Sequence, residues 1–232
     1  MGDTPEFGLL GLHSPHCLVS WNCTSLRVSR DNSWKFTRIL QCRRRGLVLV
    51  QETKLRRTDP APVEALISMA HVFRSHAVST CSDGASGGLA FFVPGQLGYR
   101  ALLTQLIEVP GFIAALPVAY GGLSWMPWNV YLHPRQRDRL LSRWLEHLQT
   151  SRQSLEAFVH VYAGDVNMDE DRTESKTLQE LLEQVHGELR VEQVRPVACT
   201  YRKAGSAHSS LDVGGVPVLR QGKFCSLVDV PS

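Results

Sequence analysis

No run in the 232 residues is long and apolar enough to span a bilayer, and the N-terminus lacks the basic-then-apolar plan of a secretory signal. Cysteine is thinly spread. Cys17, Cys23, Cys42, Cys81, Cys199 and Cys225 include no C-x-x-C and no metal-like grouping, which excludes a spaced disulfide framework or thiolate cluster and reads as free thiols in a reducing compartment. Charge of one sign is also scarce. A net charge of +3 and a pI near 8.6 permit a nucleic-acid partner without arguing for one. Internal repeats and low-complexity segments are absent. A soluble, intracellular chain in the nucleus or cytoplasm is expected, and 43% apolar residues over this length suit one large domain.

Among what is present, VHVYAGDVNMD at residues 159–169 stands out. Val159, Val161, Tyr162 and Ala163 read as a buried strand, Gly164 as the place where the backbone turns out of the sheet, and Asp165 and Asn167 as polar groups on one side. Strand ends are where α/β proteins bind ligands, so a D-x-N pair there offers oxygen and amide groups to a metal or a phosphate. An Asx turn capping the following helix is the alternative use of the same residues.

Other strands also end on polar groups. Residues 17–21 form a first strand that ends at Asn22, and GLVLVQETKL is an apolar strand of the kind buried on both faces, ending at Gln51 and Glu52. Between them a helix from Asp31 puts Trp34, Phe36, Ile39 and Leu40 near one face and closes on Arg43, Arg44 and Arg45. Residues 62–70 suit a short helix and 72–79 an extended piece; SDGASGG is a flexible loop before the strand 87–93. Residues 100–109 and 112–118 alternate as antiparallel partners around Pro110-Gly111, and 125–132 returns as a strand with Tyr131 near its end. A helix over 134–149 carries Leu140, Leu141, Trp144, Leu145 and Leu148 on one side. Arg135, Arg137, Arg139 and Arg143 lie near its start, where cations oppose the dipole; they form either a solvated face or an anion contact. Leu178, Leu181, Leu182 and Val185 mark another helix, and residues 198–202, 209–219 and 223–230 read as short strands. The mixture of alternation and hairpins points to an α+β chain.

Taken in order, WNCTSL, QETKL, GGLAFFV, NVYLHP, AGDVNMD, TYR and SSLD resemble the endonuclease/exonuclease/phosphatase superfamily, most of all the apurinic/apyrimidinic-type endonuclease domains of LINE-type (non-LTR) retrotransposons. The resemblance implies a four-layer α/β sandwich, two packed mixed β-sheets flanked by helices, formed by residues 17–232 behind a loose leader, 1–16. It also implies phosphodiester hydrolysis of DNA with Mg²⁺, or Mn²⁺ in its place, by a monomeric domain of a longer polyprotein. Carried over by motif, Glu52 is the metal carboxylate with Asn22 beside it, Asp165 aligns or deprotonates the attacking water, and Asn167 orients Asp165. Tyr131 supports the transition state, Asp212 holds the family's histidine, and Thr200 is a substrate-side position; Arg135 and Lys54 follow motif strand ends, where phosphates would lie.

The departure is at the C-terminus. The family closes on an S-D-H motif after a strand like KFCSLVDV, and no S-D-H occurs here. The resemblance therefore implies a domain lacking its final strand and a rate lowered by about two to four decades. His208, four residues before Asp212, is a weak substitute, since acid and base so close on one loop need not converge. An exonuclease or phosphatase of the same fold, or a catalytically silent binding relative, would share most of these residues.

Overall fold

The computed structural model describes residues 17–27, 33–59, 71–79, 84–102, 106–167, 176–194 and 212–217. The first sheet runs in the order β1 (Cys17–Asn22), β2 (Gly46–Gln51), β6 (Leu89–Val93), β3 (His71–Ser75). β1 and β2 are parallel and end together, Asn22 beside Gln51. A small hairpin of β4 (Val78–Ser79) and β5 (Ala85–Ser86) stands apart.

The second sheet is built on β11 (Leu123–Tyr131), which is parallel to β12 (Val159–Asp165) with Tyr131 beside Asp165. β14 (Asp212–Pro217) and β13 (Val191–Val194) extend the sheet antiparallel beyond β12. On the other edge of β11 lie β9 (Ile113–Ala115) and β10 (Val118–Tyr120), which pair in turn with β8 (Ile107–Val109) and β7 (Arg100–Ala101).

Side-chain alternation turns these sheets into layers. In β2 every residue is buried, but Leu47 and Leu49 join the core between the sheets while Val48 and Val50 pack under α1 (Ser33–Arg43). In β11, Asn129 reaches inward to β2 and β6, whereas Trp128 faces outward against Trp144 with ring centroids 5.5 Å apart. Trp144 belongs to α2 (Arg137–Thr150), which packs on α4 (Lys176–Leu189); a single turn, α3 (Arg152–Leu155), follows α2. Helix, sheet, sheet and helices therefore stack in four layers, the α+β sandwich expected. No described helix is long and apolar enough to cross a membrane.

Several local expectations change. Trp34 does not share the buried face of α1: it is 45% exposed while Phe36 and Ile39 are buried, because two residues along a helix is about 200° around it. Gly164 does not turn the chain out of the sheet; it stays paired within β12 opposite Val130, and a Cβ there would lie 1.9 Å from the Val130 oxygen. Gly88 in the SDGASGG stretch serves close approach rather than flexibility: at φ +87 its missing Cβ makes room for Thr53 Oγ1, 2.5 Å away. The strand expected over 112–118 is divided into β9 and β10, and β13 was not foreseen. The helix placed at 62–70 and the strands at 198–202 and 223–230 lie outside the described residues, as does the leader.

Candidate active site

The period of two in the strands decides which side chains meet. Ser20 and Asn22 of β1, Gln51 of β2, Asn129 and Tyr131 of β11, and Asp165 of β12 all face the gap between the sheets, where both parallel pairs end. Two hydrogen bonds cross that gap at its rim. Asn22 Nδ2 donates to Asp165 Oδ2 at 2.6 Å, and the Tyr131 hydroxyl donates to Glu52 Oε1. The candidates Asn22, Glu52, Tyr131, Asp165 and Asn167 are thereby brought together from two sheets.

Tight turns hold these groups. The Thr24 N–H donates to Asn22 Oδ1 at 3.1 Å, and the Asn167 N–H donates to Asp165 Oδ1 at 2.9 Å, so each polar side chain is anchored by the backbone two residues on. Thr24, Glu52, Lys54 and Asn167 all adopt positive φ, a conformation disfavoured for non-glycine residues that concentrates here at the strand ends. The D-x-N stretch is thus an Asx turn and part of a polar site at once.

Asn167 orients Asp165 through its main-chain N–H, whereas its side-chain Nδ2 donates to Leu132 O at 3.0 Å. Its side-chain amide also helps to hold the Asp165 carboxyl down. Arg137 also acts locally, since its guanidinium donates to Asn167 O at 2.6 Å and clamps the turn from the start of α2. Arg135 and Arg139 are exposed, and Lys54 is half-buried, its carbonyl accepting from Arg27 Nε at 3.1 Å. Asp212 opens β14 directly opposite Asp165 in the ladder. Thr200 and His208 lie outside the described residues.

Burial pushes the Asp165 carboxyl up from 3.8 to about 6, against the hydrogen bonds from Asn22 and the Asn167 N–H, while the charge of Glu52 adds to the rise. Burial also raises the Tyr131 phenol, helped by its bond to Glu52 and by both neighbouring carboxylates, so it stays a protonated donor. Cys23 packs beneath the loop and burial pushes its thiol up to about 12, leaving it inert.

No group of three or more His, Cys, Asp or Glu side chains gathers among the described residues. What the site offers is a carboxylate pair flanked by amide and phenol, with Glu52 Oε2 unbonded among the described residues. That donor set fits Mg²⁺, which takes one or two carboxylates and keeps several waters. Sequence reasoning passed over Asn129, whose signal was an amide inside the apolar WMPWNVYL, two residues before Tyr131 and so on its face.

No protein-family model and no curated protein matches the chain. Among solved structures, this architecture is that of the endonuclease/exonuclease/phosphatase fold. The endonuclease domain of TRAS1, a telomere-specific non-LTR retrotransposon, matches at TM-score 0.57 and 14% identity over 88% of this chain and 86% of that one. The AP endonuclease LMAP from Leishmania major matches at TM-score 0.61 and 14% identity, covering 87% and 78%. The 3'-5' exonuclease NExo from Neisseria meningitidis matches at 0.58 and 14%, covering 86% of each. At such identities the likeness is one of fold.

Proposed function

We propose that the chain hydrolyses DNA phosphodiesters with a divalent cation, as an endonuclease that nicks a target strand. The observation that carries this reading is the pair of bonds across the gap, Asn22 to Asp165 and Tyr131 to Glu52. They set two carboxylates at one rim with no Lys or Arg ion-pair partner for either among the described residues. Such a pair repels a phosphodiester until a cation neutralises it. Glu52 would hold that cation with Asn22 beside it; when bound, Mg²⁺ would screen the phosphate and make water at the site more acidic.

Asp165 accepts the proton of the attacking water, since its orientation is fixed by the Asn22 amide and the Asn167 N–H. Water adds to phosphorus, one P–O ester bond breaks, and the leaving oxygen takes a proton from solvent to become the free hydroxyl. The protonated Tyr131 hydroxyl is a donor for Glu52 or for a phosphoryl oxygen as charge builds there. In this reading the resemblance assigns Asp212 and Thr200 to the surroundings of the phosphate, and Arg135 and Lys54 supply positive charge near it. Likeness in fold to the TRAS1 endonuclease domain and the Leishmania AP endonuclease supports the endonuclease reading.

Plasmid nicking tests the reading. Supercoiled DNA incubated with the chain and Mg²⁺ is expected to be nicked, and EDTA, Glu52→Ala or Asp165→Ala should each abolish the product. Undiminished nicking by both variants would remove the reading. A 3'-5' exonuclease, the reading favoured by the likeness to the Neisseria enzyme, would digest linear duplex and leave closed circles intact.

A further inference from the structure

One pleat below the rim, three polar side chains form a bridge that the chemistry above does not use. Gln51 and Asn129 are wholly buried, at 0% exposure. Gln51 Nε2 donates to Asn129 Oδ1 at 2.6 Å and to Ser20 Oγ at 3.1 Å. Asn129 Nδ2 donates to the carbonyls of Val50 and Ala90, both at 3.1 Å. Every amide proton of the pair is therefore spent, and the direction of each amide is fixed: turning Asn129 over would set its oxygen against two carbonyl oxygens.

The bridge joins β11 of one sheet to β2 and β6 of the other. Glu52 follows Gln51 directly, and Tyr131 stands two residues beyond Asn129 on the same face. An apolar pair would fill the same space but would leave the sheets free to slide, since hydrophobic contact has no direction. We propose that Asn129 and Gln51 are positioning residues that set where Glu52 stands against Tyr131 and Asp165, and thereby set the affinity of the site for its divalent cation. The inference rests on the cation at Glu52 proposed above.

Calorimetric titration of the full chain with Mg²⁺ or Mn²⁺ alone, without DNA, tests it at a temperature well below unfolding. Asn129→Asp keeps the shape but sets a carboxylate oxygen against the Val50 and Ala90 carbonyls. It should weaken cation binding about tenfold, the scale found for groups that orient metal ligands. The KM for plasmid DNA should stay unchanged, because neither residue is placed on the DNA. Should Asn129→Asp fail to fold, Asn129→Ser and Ser20→Ala carry the same test, each loosening the bridge with less strain. A role in stability alone would lower the melting temperature and leave the cation affinity of the folded molecules intact, and that result in any folded variant overturns the proposal. Wild-type protein that binds neither cation overturns the metal reading itself, and the clamp with it. Wild-type binding with unaltered variants overturns the clamp alone.

Discussion

Asn22, Glu52, Asp165 and Asn167 were legible as candidate site residues because several apolar strands stop on a carboxylate or an amide, although turns call for the same residue types. Their partners were less legible. That the Asn167 N–H bonds Asp165 and that Arg137 bonds the Asn167 carbonyl are set by how the turn folds, which residue type alone does not record. Tyr131 was named from its motif, but its bond to Glu52 spans 79 positions and no local pattern records it. That bond yields a prediction. Tyr131→Phe removes a donor from the rim while keeping the ring that packs beside Phe112, centroids 6.3 Å apart. It should lower the single-turnover nicking rate about 100-fold and leave DNA affinity nearly unchanged. Wild-type rate in a folded Tyr131→Phe protein would remove the hydroxyl from the chemistry.

Elements with a clear period were read correctly in kind. α2 and α4 announce themselves by leucine stripes, and β2 by a run buried on both faces. β13 escaped because VEQV is four residues long, too short to show alternation, and its edge place is fixed only by pairing with β14. Pairings across sheets are non-local and were reached through the family resemblance rather than through periodicity. One element-level contact has a pH signature. His186 of α4 stacks on Tyr162 of β12 at 5.6 Å and shares a 2.8 Å hydrogen bond with its hydroxyl. Burial lowers this imidazole from 6.5 to about 4. Between those values the unfolded chain binds the proton that the folded chain refuses, so stability is full above pH 6.5 and falls as pH drops toward 4. Melting temperatures measured across that window should fall less steeply in His186→Gln than in the wild type. Parallel curves would show that His186 ionises as freely folded as unfolded.

At the scale of the molecule, each sheet brings one parallel strand pair to a common edge, and the apolar core between the sheets holds them together while helices cover the outer faces. Neither sheet holds a complete site. The first supplies Asn22 and Glu52, the second Tyr131, Asp165 and Asn167, so the packing of one sheet on the other is what assembles the chemistry. This also explains why the buried amide bridge lies where it does, a single pleat beneath the rim. The central claim is that the assembled edge holds a divalent cation at Glu52. Anomalous diffraction from Mn²⁺-soaked crystals of the chain tests it most directly. The account predicts the strongest anomalous peak within about 2.5 Å of a Glu52 carboxylate oxygen, in the gap facing Tyr131 and Asp165. A strongest peak elsewhere, or no peak at Glu52 at Mn²⁺ concentrations that support nicking, would contradict it.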